Sequence, residues 1–188
     1  MTALRAYLVD LDGTLADTAA ANYEAYGAAL REVGVGISRE AFERDAFGRN
    51  WRQFLPGMLR EAGSMADPAG VAARKVELYR DAVHRIRFNE ALLMLLASRS
   101  DTTRAALVTT ASAQNVKSVL AARPEVQQLF DAIVTGDDVP VHKPDPGAFI
   151  VAARLLEVAP AHCLVFEDSE AGVAAGLAFG ASVLRIRM

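Results

Sequence analysis

The stretch from Leu8 to Thr18, LVDLDGTLADT, constrains this chain more than any other. An apolar run arrives at Asp10, a second carboxylate follows at Asp12, and Gly13 lets the backbone turn sharply before Thr14. The pattern predicts a strand that delivers two carboxylates to a turn. Such a pair suits chemistry in which one attacks and the other handles a proton, provided their surroundings push their pKa values apart. The plainer alternative is a surface hairpin, for which Asp-Gly is a common signal. A calcium loop is excluded by spacing, because Leu15 and Ala21 stand where an EF-hand needs glycine and glutamate.

Beyond Thr18, Tyr23, Tyr26, Leu30 and Val33 recur at helical spacing until Gly34 and Gly36 stop the pattern. A second helical piece follows Ser38, which is placed to cap it. Further helices are predicted from Trp51 to Glu61 and from Pro68 to about Arg85, the latter with Asp67 as cap and Pro68 in its first turn. No strand is predicted between Thr18 and Arg85, so this segment reads as an all-helical unit. From Asn89 the pattern alternates. Helices at Glu90–Ala97, Ala113–Ala122, Pro146–Leu156 and Ala171–Phe179 lead in turn to the apolar runs AALV, AIV, CLVF and SVLRI. Short apolar runs between helices predict a parallel sheet covered on both faces, with the first strand in it.

The length of 188 residues is enough to bury a proper core, and hydrophobic residues at 52% with charged residues at 23% make disorder no part of the expectation. A net charge of -3 gives nucleic acid or an anionic membrane nothing to bind by bulk electrostatics. The longest apolar block, Ala91 to Ala97, is too short to span a bilayer. Nothing between Met1 and the strand-like LRAYLV is shaped like a signal peptide, so a cytoplasmic protein is expected. The single cysteine, Cys163, opens an apolar run and reads as a buried strand thiol. Nothing in the sequence sets an oligomeric state.

Several of the strands end in polar residues: Asp10, Thr109, Asp137, and Glu167 with Asp168. Ligands of open parallel sheets bind outside the carboxyl ends of the strands, so these residues should converge on one edge. Four carboxylates and a hydroxyl are poor neighbours unless a cation and an anion sit among them. Oxygen ligands from Asp10, Asp12 and Asp168 suit Mg²⁺, which is often held by one or two carboxylates and a substrate phosphate. Lys143, in His142-Lys143-Pro144-Asp145-Pro146, can place a point charge on a phosphoryl oxygen. Thr109 and the backbone N–H groups near Thr110 and Ala111 can hold the other oxygens.

Four motifs, in order, give the chain its resemblance to the haloacid dehalogenase superfamily: Asp10-Leu11-Asp12-Gly13-Thr14-Leu15, the strand ending in Thr109, Lys143-Pro144-Asp145-Pro146, and Glu167-Asp168-Ser169-Glu170-Ala171-Gly172. Within it, the chain looks like the phosphatases and phosphomutases with an inserted helical cap of the first type. The resemblance implies a Rossmann-like three-layer α/β/α core made of residues 1–15 and 89–188, and an all-helical cap of residues 16–88. It implies that Asp10 is a nucleophile forming an aspartyl-phosphate and that Asp12 protonates the leaving oxygen, then activates water. It further implies that Thr109 and Lys143 hold the phosphoryl group. Mg²⁺ would sit on Asp10, the Asp12 carbonyl oxygen and Asp168, with Glu167 as a ligand or a partner behind it. Asp12 also separates this chain from the dehalogenases of the superfamily, which lack an acid there and need no metal.

In such enzymes the cap closes over the site and selects the substrate. Gly48-Arg49-Asn50-Trp51-Arg52 is the expected reader, with Arg49 or Arg52 pairing with a carboxylate or second phosphate. The expectation is a Mg²⁺-dependent phosphatase acting on a small phosphorylated metabolite. A sugar phosphomutase resembling beta-phosphoglucomutases is the alternative, weakened by Asn22 where those enzymes carry histidine. A catalytically idle binding module is a third. Residues Arg85 to Asn89 lack the proline-glycine pair common in relatives, which touches only the hinge.

Overall fold

The computed structural model describes residues 3–186 and Met188. Five strands form one parallel sheet: β1 (Ala6–Val9), β4 (Arg104–Val108), β5 (Ala132–Val134), β6 (Cys163–Glu167) and β7 (Ser182–Arg185), in the order β5-β4-β1-β6-β7. After β1 the chain builds outward to β5, then returns past β1 and builds the other edge. The order therefore reverses around β1. Its carboxyl end, with those of β4 and β6 on either side, is where such a sheet leaves a crevice.

Alternation along the strands distributes side chains to two faces. Val9, Leu107 and Phe166 pack with α5 (Glu90–Ala97) and α6 (Ala113–Ala121). Leu8, Ala106, Val108 and Val165 pack with α7 (Gly147–Leu156) and α8 (Glu170–Phe179). The expected parallel sheet between helical layers is thus present.

A third cluster belongs to the inserted helices: α1 (Ala19–Glu32), α2 (Arg39–Asp45), α3 (Trp51–Glu61) and α4 (Pro68–Ala82). Tyr26, Phe42 and Phe54 form its aromatic centre, with ring centroids 5.2 Å apart for Tyr26–Phe54 and 5.9 Å for Tyr26–Phe42. Ser38 and Asp67 cap α2 and α4 as expected, accepting from Ala41 N–H and from Ala69 and Gly70 N–H. The helix expected to run to Arg85 ends at Ala82, and Val83–Arg85 tighten into a 3-10 turn.

Two-residue strands β2 (Ala16–Asp17) and β3 (Arg87–Phe88) pair antiparallel, Ala16 opposite Phe88, where the chain leaves and re-enters the core. Two residues carry no periodicity, which is why neither strand was legible. No helix among the described residues is long and apolar enough to cross a membrane.

Candidate active site

β1 ends one residue before Asp10, whose N–H donates to the Phe166 carbonyl at 3.0 Å and so ties the carboxylate to the end of β6. The chain then coils tightly: Leu15 N–H donates to the carbonyls of Asp10 and Leu11, and Gly13 N–H to that of Ala16. Gly13 has φ +87°, a region that disfavours other residues, and a Cβ there would lie 2.4 Å from Asp168 Oδ2. The glycine is therefore required by both the turn and its neighbour.

Lys143 reaches across from the loop before α7. Its buried ammonium donates to Asp10 Oδ1 at 2.7 Å, Glu167 Oε1 at 2.6 Å and the Val108 carbonyl at 2.9 Å. All three donors are used, which locks the side chain. Burial opposes its charge, but Asp10 and Glu167 outweigh it and hold the ammonium above its ordinary range. The other Glu167 oxygen accepts from the N–H groups of Asp168 and Ser169 and from the Ser169 hydroxyl. Gly172 lets α8 pass this carboxylate closely, since a Cβ there would fall 1.9 Å from it.

Oxygens of Asp10, Glu167 and Asp168 lie within 4.8 Å of one another. Burial, then the charge of Glu167, push Asp10 well above the usual carboxylate range and Asp168 to about 6. With Asp10 and Asp168 resisting ionisation, the cluster is short of positive charge, and all its donors are oxygens. A hard divalent cation fits that chemistry.

Asp12 faces the inserted helices. Its Oδ1 accepts from the Thr18 hydroxyl and from Asn22 Nδ2, and burial raises its pKa despite them. Thr109, buried at the end of β4, has its hydroxyl 3.1 Å from Ala111 N–H. The structure thus gathers Asp10, Asp12, Thr109, Lys143, Glu167 and Asp168 at one end of the sheet.

A cavity of about 270 Å³ lies between these strand ends and the helical insert, lined among others by Asp12, Asn22, Arg49, Lys75, Thr110 and Asn115. The two arginines expected to read substrate part company here. Arg49 lines the cavity, whereas the Arg52 guanidinium stacks on Trp51 and pairs with Asp137 at 3.4 Å, at an exposed cap–core contact. Lys75, which the sequence reading missed, is 1% exposed, and its ammonium has no hydrogen-bond partner among the described residues. It lies against Tyr79 and Tyr26, 4.0 and 4.9 Å from their ring centroids. The missed signal was periodicity: Val71, Lys75, Tyr79 and Ala82 share the buried stripe of α4.

The haloacid dehalogenase-like hydrolase family matches residues 4–180. The chain belongs to that family. Among relatives of this hydrolase is the fructose-1-phosphate phosphatase YqaB of Escherichia coli, 28% identical over 96% of this chain and 95% of its own. A phosphorylated carbohydrates phosphatase of Thermotoga maritima is 30% identical over 94% of this chain and 82% of its own. The crystal structure of CbbY from Rhodobacter sphaeroides in complex with phosphate superimposes with a TM-score of 0.87 at 26% identity, covering 98% of this chain and 87% of that one. The haloacid dehalogenase-like fold with its helical cap, and an enzyme of the family's phosphatase and phosphomutase branch, follow from these likenesses.

Proposed function

We propose that this hydrolase is a Mg²⁺-dependent phosphatase of small phosphorylated metabolites, sugar phosphates among them, working through an aspartyl-phosphate on Asp10. The observation that carries the reading is Lys143, locked between Asp10 and Glu167 beside an acidic oxygen cluster. An oxygen of Asp10 attacks phosphorus and the ester P–O bond breaks. Asp12, whose buried carboxyl favours its protonated form, passes that proton to the departing oxygen. Asp12 then takes a proton from water, the water oxygen attacks phosphorus, and the Asp10–phosphorus link breaks to release inorganic phosphate. Thr109 and the Thr110 N–H hold phosphoryl oxygens, the Ala111 N–H being given to Thr109 Oγ1, and Lys143 fixes the rotation of the Asp10 carboxylate.

Asp10, Asp168 and the Asp12 carbonyl would hold Mg²⁺, which would offset charge on the transferring phosphoryl group. Both Glu167 oxygens are already engaged by Lys143 and the Asp168–Ser169 turn, so Glu167 serves better as the partner of Lys143 than as a ligand. Residues 16–88 form the cap, hinged at the β2–β3 ribbon, and Lys75 with Arg49 receives the oxygen-rich body of the substrate. Asn22, donating to Asp12 where mutases carry histidine, favours hydrolysis over isomerisation.

The deciding experiment is a panel of phosphate monoesters assayed with Mg²⁺ and with EDTA, in wild type and Asp10→Asn. Phosphate release that needs both the metal and Asp10 is expected. A panel without Mg²⁺-dependent release, or full activity in Asp10→Asn, would sink the reading.

A further inference from the structure

One of the contacts between cap and core is a buried amide. Asn50, 2% exposed, precedes α3 and divides its side chain between two tasks. Its Oδ1 accepts from Arg52 N–H at 3.1 Å and caps the helix, while its Nδ2 donates to the Thr110 carbonyl at 3.0 Å across the cap–core boundary. The reverse orientation would set oxygen against oxygen and nitrogen against N–H, so the network fixes the amide. The Thr110 hydroxyl answers by donating to the Gly48 carbonyl at 2.9 Å. The surroundings are shaped to this contact: a Cβ at Gly136 would lie 2.3 Å from the Thr110 oxygen and 2.7 Å from Asn50 Nδ2.

The Thr110 carbonyl and the Ala111 N–H are the two ends of one rigid peptide plane. The far end of that plane donates to Thr109 Oγ1 at 3.1 Å. A line of contacts therefore runs from the cap through a single peptide to the hydroxyl read above as a phosphate ligand. We propose that Asn50 is a positioning residue: by donating to the Thr110 carbonyl it orients the Thr110–Ala111 peptide, and through it Thr109, so that the phosphate cradle is fully formed only with the cap docked. The inference rests on the phosphatase reading of Thr109. Its consequence is that a cap residue governs the affinity for phosphate itself.

Two variants separate docking from helix capping. Asn50→Asp keeps the capping oxygen and loses the donor; Asn50→Ser keeps a favoured N-cap but lacks the reach. Both are expected to melt near the wild-type temperature. Both should lower kcat and weaken the binding of inorganic phosphate in the presence of Mg²⁺, by calorimetry, each about tenfold, the size of one lost hydrogen bond, with KM for a sugar phosphate changing less. A loss confined to KM, or to kcat with phosphate affinity intact, would show a cap contact without a relay and overturn the inference, as would two variants that behave like wild type. Wild-type protein that neither binds phosphate nor hydrolyses monoesters would instead remove the phosphatase reading, and this inference with it.

Discussion

Two lysines divide the electrostatics of this site in opposite ways. Lys143 is buried with both counter-charges and all its hydrogen bonds, so its burial is compensated. Lys75 is equally buried with no hydrogen bond among the described residues, and burial, opposed only by the charge of Asp12, lowers its pKa from 10.5 to about 7. Between those values the unfolded chain binds more protons than the folded one, so the cost of Lys75 is full below about pH 7 and fades as pH rises towards 10.5. Lys75→Met is therefore expected to stabilise the protein by about 1–4 kcal/mol at pH 6 and by little at pH 10, as read by urea denaturation, while activity towards sugar phosphates falls. A stability gain that ignores pH, or a loss at pH 6, would contradict this account of the residue. Asp10 and Lys143 were legible in the sequence because they occupy motif positions. Lys75 was not, because it sits in ARKVELYR beside exposed charges such as Arg74, and only its place on the apolar stripe of α4 distinguishes it.

At the scale of elements, α8 and β6 are held together by what Gly172 omits. An alanine there would gain roughly 1 kcal/mol in helix propensity. Its methyl, however, would have to displace the Glu167 carboxylate that holds Lys143, and overpacking of this kind costs about 1–3 kcal/mol. Gly172→Ala is expected to be destabilised on balance and to lose activity out of proportion to that loss, because the displaced carboxylate is the one that positions Lys143. Denaturation midpoint and kcat together test it; a variant as active as wild type would mean that the helix shifts and the carboxylate stays. The caps of α2 and α4 and the buried strands were legible because each rests on local chemistry. The β2–β3 ribbon and the docking of Asn50 were not, since the first is too short to show a period and the second joins residues sixty positions apart.

For the molecule as a whole, the insert covers the carboxyl end of the sheet and leaves a cavity of about 270 Å³, just below the usual range for small-molecule sites. Phosphorylated side chains of a folded protein cannot enter such a space with the cap docked. Phosphate release from small sugar phosphates with none from a phosphoprotein is the expected pattern; comparable rates on both would mean that chemistry proceeds with the cap open. The architecture was legible at this scale because a parallel sheet between helical layers follows from alternation of helices and short apolar runs; the order of its strands was not. Which charged cap residues line the cavity was not legible either, because the outward pairing of Arg52 and the burial of Lys75 are set only when the helices pack. The β2–β3 ribbon has a further consequence. Ala16 faces Phe88, so the insert departs and returns at neighbouring points, one strand spacing apart. To the core the whole insert is a loop closed at its base, and a different helical unit with ends equally close can take its place without displacing a single sheet strand.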